Sequence, residues 1–275
     1  MAKTKILFIT HEMSPFLELS EISKITRALP QAMQEKGYEI RILMPRFGNI
    51  NERRNRLHEV IRLSGLNIVI NENDNPLIIK VASIPTARMQ VYFLDNEEYF
   101  HRKHVFSDGQ NKFFDDNDER TIFFCKGALE TVKKLGWSPD IIHCHGWMSS
   151  LVPLYVKTSY KDDPTFKHSK LVFSAYESGF SGMLNKAFIN KMMMPGISAS
   201  DIASFLDADC CALQAGAIEY TDAIVIGDEN LSKKVEEKIK SSLKPVLSFD
   251  ETQDYDRYFQ FYEDLQQEEM ASIAV

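Results

Sequence analysis

Two rhythms of apolar residues alternate along most of the chain. The run Lys5-Ile6-Leu7-Phe8-Ile9-Thr10 predicts a short buried strand. Ile22, Ile25, Leu29 and Met33 then recur at helical spacing, and Gly37 stands where a helix C′ residue belongs. Tyr38–Met44 predicts the next strand, closed by Pro45. Three short runs, Leu66–Ile70, Leu77–Ser83 and Met89–Leu94, are divided by polar turns such as Asn71–Pro76 and predict an inserted β-meander. Asp116–Leu135 returns to helical spacing and stops at Gly136. The remainder predicts strand Asp140–Cys144, helix Met148–Lys157, strand Lys170–Ala175, helix Ala203–Tyr220 and strand Ala223–Ile226. A last helix carries Leu231, Val235 and Ile239.

Strands and helices in this alternation imply an α/β fold, a mainly parallel Rossmann-like sheet with helices on both faces. In such a sheet ligands bind at the C-terminal ends of the strands. The expected division is a domain over residues 1–248 and an acidic, aromatic tail over 249–275. The tail carries Asp250, Glu251, Asp254, Asp256, Glu263, Asp264, Glu268 and Glu269 among Tyr255, Tyr258, Phe259, Phe261 and Tyr262, and is expected to dock by its aromatic residues.

Composition narrows the picture. At 44% hydrophobic and 26% charged residues the chain is globular rather than disordered. A net charge of −7 gives no electrostatic footprint for nucleic acid, and the basic run Arg53-Arg54-Asn55-Arg56 reads as a solvated face. No apolar stretch approaches a membrane span, and the N-terminus enters a strand without a signal peptide. Cys125, Cys144, Cys210 and Cys211 form no CxxC pair and read as reduced core thiols, so a cytoplasmic location is expected. His143 and His145 share a strand end but lack a third ligand, so neither a metal nor a cofactor is expected.

Three stretches carry a family resemblance. They are Lys5–Phe16 with Ala28-Leu29-Pro30 and Met44-Pro45-Arg46-Phe47; Val91–Phe100 with Asp116-Asn117-Asp118-Glu119-Arg120; and Leu135-Gly136-Trp137-Ser138-Pro139-Asp140-Ile141-Ile142-His143-Cys144-His145-Gly146-Trp147. In this order they resemble the catalytic domain of glycogen and starch synthases, glycosyltransferase family 5. The resemblance implies the N-terminal domain of a GT-B glycosyltransferase. Its relatives move glucose from ADP-glucose to an α-1,4-glucan, with retention, in a cleft between two domains. The chain is about half the family's usual length, so the second domain, with most of the nucleotide contacts, is expected to be missing.

The resemblance also exposes departures. Where the family reads Lys-Thr-Gly-Gly-Leu, this chain reads Glu18-Leu19-Ser20-Glu21-Ile22. A lysine and paired glycines suit a diphosphate at a helix N-terminus; Glu18, Ser20 and Glu21 do not. At an effective dielectric of about 20, one charge reversal at about 4 Å is worth about 8 kcal/mol before screening. The same residues also read as helix stabilisers, with Ser20 as N-cap and Glu21 in the first turn. His-x-His-Asp-Trp becomes His143-Cys144-His145-Gly146-Trp147, and Thr-x-His-Asn-Leu places Tyr176 and Glu177 at the histidine and asparagine positions. Lys-Ala-Gly becomes Gln214-Ala215-Gly216, and Val-Ser-Pro becomes Ile226-Gly227-Asp228.

Two functions follow as expectations. One is a non-catalytic synthase-like protein that binds α-glucan or a synthase partner, with His143, His145, Trp147, Tyr176 and Glu177 as candidate sugar contacts. Trp147, Tyr176 and Phe180 would stack on sugar rings at a cleft mouth, or else pack in the core. The alternative is the active half of a split hexosyltransferase, using ADP-glucose and completed by a C-terminal-half partner.

Overall fold

The computed structural model describes residues 3–84, 87, 89–177, 179–252 and 254–273, with 268–273 as backbone only. Ser178 and the side chains of Glu268 and Glu269 therefore lie outside the described residues. The first half of the chain holds β1 (Lys5–Thr10), α1 (Ile22–Glu35), β2 (Glu39–Pro45), α2 (Glu52–Asn55), β3 (His58–Glu59), β4 (Leu66–Ile70), β5 (Asn73–Ile84), β6 (Met89–Asp95), α3 (Glu97–Phe100) and α4 (Asn117–Leu135). The second half holds β7 (Ile141–His145), α5 (Leu151–Lys157), β8 (Lys170–Ala175), α6 (Phe188–Met192), α7 (Cys210–Tyr220), β9 (Ala223–Ile226), α8 (Lys233–Ser242), β10 (Val246–Leu247) and α9 (Tyr255–Ile273).

The sheet runs β10-β9-β8-β7-β1-β2-β6-β5-β3, with β4 paired to β5. From β10 through β6 every neighbouring pair is parallel, while β3, β4 and β5 are joined antiparallel. Central β1 and β7 are buried through Ile6–Ile9 and Ile141–His145, as strands covered on both faces must be. Four parallel strands, β1, β7, β8 and β9, thus end side by side on one rim.

The meander differs from its expected outline. Asn71 and Glu72 both take positive φ, 49° and 67°, and close a two-residue hairpin, so β5 already begins at Asn73. Pro76 falls inside β5, pairing with Asn67 of β4, in a stretch that precedes the register with β6. A proline without an N–H is tolerated on such an edge.

The expected helix Ala203–Tyr220 is also broken. A 3-10 turn spans Ala203–Phe205, Ala208 takes a φ of 51°, and Asp209 caps α7 by accepting from the Ala212 N–H at 2.6 Å. The apolar spacing runs on through this break, which the backbone conformation decides. A 3-10 turn at Trp147–Ser149 likewise precedes α5.

The final helix α9 packs on α1 and β10. Tyr262 is fully buried, and the Phe259 ring meets Tyr38 edge-on at 5.9 Å. Lys36 pairs with Asp256 at 2.5 Å, and the Tyr38 hydroxyl donates to Glu263.

Candidate functional site

The loop after β1 turns on one carboxylate. Glu12 is 1% exposed, and its Oε2 accepts the backbone N–H groups of Leu19 at 2.7 Å and Ser20 at 2.8 Å. Its Oε1 accepts the Ser20 hydroxyl at 2.6 Å and lies 3.5 Å from His11 Nε2. Burial by itself would raise the Glu12 pKa, but the hydrogen bond and charge of His11 and the bonds from Ser20 and Leu19 hold it below the ordinary value. The chain's own anion therefore fills a small nest of loop N–H groups.

The charged residues of the loop do not act alike. Glu18 is exposed, accepts from the Ser14 hydroxyl at 2.6 Å and is absent from the cleft wall, so its reversal from lysine adds no charge there. Glu21 does line the cleft, although its exposed carboxylate also pairs with Lys24 at 2.7 Å. Glu21 has helical φ and ψ of −62° and −19° and no side-chain cap bond, and Ser20, just before it, starts the helix as expected. The Ser20 hydroxyl proton is committed to Glu12, while its Oγ accepts from the Ile22 N–H at 3.2 Å, the N2 group that a cap serves.

At the end of β7 the two histidines turn inward. His143 is fully buried, sharing hydrogen bonds with the Tyr262 hydroxyl at Nδ1 and the Ser174 hydroxyl at Nε2, both at 2.7 Å. His145 is equally buried, bonded through Nδ1 to the Tyr176 hydroxyl at 2.8 Å, and its ring centroid lies 4.0 Å from that of His143. Burial, with neighbouring His145, pulls the His143 pKa well below its ordinary value. Burial, with His11, lowers His145 to about 3. Both are neutral core groups, and neither lines the cleft.

Gly146 follows with a φ of +73°, and a Cβ placed there would stand 2.8 Å from His11 Cε1 and 3.3 Å from Ile22 Cδ1. The His11 ring thus fills the space that the family's aspartate would need. Trp147 is 3% exposed, against Phe180 at 4.7 Å and Phe106 at 5.0 Å between centroids. Its packing in this cluster removes the open face that stacking on a sugar requires.

The ends of β8 and β9 interlock. Gln214 Oε1 accepts the Tyr176 N–H at 2.9 Å, so the side chain at the family's lysine position braces the residue at its histidine position. The Tyr176 ring lies over Gly227, where a Cβ would stand 2.4 Å from its Cε1. Tyr176 is buried to 8% exposure, which leaves only an edge to the cleft, whereas Glu177 is exposed on its wall.

These pieces enclose a cleft of about 540 Å³ at the ends of β1, β7, β8 and β9. Glu12, Glu21, Glu177 and Asp228 line it, and no lysine or arginine does among the described residues. Such a wall repels a diphosphate and offers acceptors rather than donors. No group of three or more His, Cys, Asp or Glu side chains is arranged to hold a metal among the described residues. Sequence reasoning passed over His11, visible only as the neighbour of Glu12, and Phe106, which lies in an aperiodic stretch with no signal.

The family model for the starch synthase catalytic domain matches residues 5–248. The glycogen synthase of Chlorobium luteolum is 41% identical over 197 residues, 71% of this chain and 40% of that protein. The glycogen synthase of Chlorobaculum parvum is 36% identical over 242 residues, 86% of this chain and 48% of that protein. This chain therefore spans less than half the length of either relative. Among solved structures, the catalytic domain of Starch Synthase IV from Arabidopsis thaliana, bound to ADP and acarbose, superposes with a TM-score of 0.74. That likeness, at 16% identity over 90% of this chain and 51% of that one, speaks for the fold. No helix among the described residues is long and apolar enough to cross a membrane. From the matched sequence and the parallel sheet with its rim cleft, the chain belongs to the starch synthase catalytic domain family.

Proposed function

We propose that this chain is a non-catalytic glycogen/starch synthase-type protein, which keeps the scaffold and acts by binding α-glucan or a synthase partner. One observation supports the reading: Glu12, Glu21, Glu177 and Asp228 line the cleft, and among the described residues no lysine or arginine lines it and Glu21 alone of the four pairs with a lysine, the exposed Lys24. A nucleoside diphosphate sugar meets like charge on that wall, and the loop N–H groups of Leu19 and Ser20 are already taken by Glu12. The replacement of the family's lysine by Gln214 points the same way, as does the burial of Tyr176.

The test is glucose transfer from labelled ADP-glucose to glycogen by the purified chain, with co-sedimentation on glycogen measured in parallel. No incorporation is expected, together with retention on glycogen or on an added synthase. Turnover by the chain alone overturns the reading. Turnover only after a separate C-terminal half is supplied replaces it with the split hexosyltransferase.

A further inference from the structure

We propose that the groove lined by β4, α4 and α6 binds a small monocarboxylate with an apolar body. It shares no lining residue with the rim cleft, so the inference goes beyond the function proposed above and does not rest on it.

The first support is a buried ammonium. Lys126 of α4 lines the groove with 8% of its surface exposed, and its Nζ donates to the Val69 carbonyl at 3.0 Å. An ammonium carries three N–H groups, so two remain for a ligand. No carboxylate pairs with it among the described residues, and burial alone lowers its pKa from the ordinary value. The acids nearby are engaged elsewhere. Glu130, one turn along α4, accepts from the Tyr160 hydroxyl at 2.6 Å and pairs with Lys133 at 3.5 Å. On α6, Lys191 is held by Asp118 at 2.8 Å and Glu119 at 2.7 Å, and Glu72 stands exposed at the hairpin turn. A buried charge without a counter-ion is costly, and a ligand carboxylate would supply one.

The second support is the apolar lining, which is independent of Lys126. Val69 and Met193 line the groove while 52% and 37% exposed, and Ile68, Met194 and Pro195 extend the surface. Methionines adapt to a hydrocarbon guest and favour aromatic rings. One unpaired ammonium, with no arginine fork on the lining among the described residues, suits a single negative charge rather than a phosphate dianion. A volume of about 440 Å³ lies in the range of small-molecule sites.

The test is calorimetric titration of phenylbutyrate, and separately of its uncharged amide, into the full chain at neutral pH. Saturable binding of the acid is expected, with the amide about tenfold weaker or more for want of a charge-assisted hydrogen bond. Val69→Glu sets a carboxylate on the exposed lip beside Lys126 and should weaken the acid about tenfold without touching the core. Lys126→Met keeps the apolar stem, removes the ammonium and should bring acid and amide to equal affinity; Lys126→Arg should restore the preference for the acid. No saturable binding of the acid up to about 10 mM, weaker than a ligand of this size should show, overturns the proposal. So does equal affinity of acid and amide for the unaltered chain, and so does unchanged affinity in Val69→Glu with an unaltered urea midpoint. Should Lys126→Met fail to fold, the Val69 variant and the amide decide the matter without it.

Discussion

The ring of His11 occupies the space beside Gly146, and that pairing can be tested directly. Gly146→Asp should lower stability by about 2 kcal/mol or more, because the new Cβ meets His11 Cε1 at 2.8 Å on a backbone with φ of +73°. His11→Ala added to it should recover the steric share, giving a coupling of about 1 kcal/mol in a double-mutant cycle read by urea denaturation. Additive effects would show that the ring does not exclude the side chain. The sequence marked Gly146 as a departure but gave no sight of its partner, since residues 11 and 146 meet only through the parallel pairing of β1 with β7. Glu18 illustrates the reverse case. Its charge was legible, but its direction depends on a bond to Ser14 that spacing does not reveal.

Among the elements, α9 and β7 are joined through Tyr262 and His143. Tyr262→Phe leaves His143 Nδ1 without its partner in the core and should cost about 1–3 kcal/mol in chemical denaturation. An unchanged midpoint would mean that α9 docks by its apolar contacts alone. The β7 histidines also set a pH dependence. Their folded pKa values are lowered, so their neutral forms stabilise the fold fully above the unfolded value of about 6.5. Stability should fall as acid is added below that point, by about 1.4 kcal/mol per pH unit for each histidine, and for His145 down to about pH 3. Urea midpoints between pH 7.5 and 5 check this, and His143→Gln should flatten the slope. The long periodic elements, β1, α1, α4 and β8, were readable because burial imposes their pattern. The break before α7 was not, because Ala208 and Asp209 set it through one backbone angle and one capping bond.

At the scale of the molecule, the parallel order and the position of the cleft follow from the alternation of strands and helices, which places four strand ends on one rim. The content of the cleft was legible only as missing family residues; what replaced them emerged from contacts between segments distant in sequence. Those replacements are locked in pairs. His11 stands against Gly146, and Tyr176 stands against Gly227, where the family's serine would place a Cβ 2.4 Å from the ring. Mutation proceeds one codon at a time, so a side chain introduced at either glycine meets a clash before the ring opposite it has changed. The passable order begins with His11 and Tyr176, through intermediates that have given up the present packing. Sterics thereby fix the order in which the members of these two pairs can change.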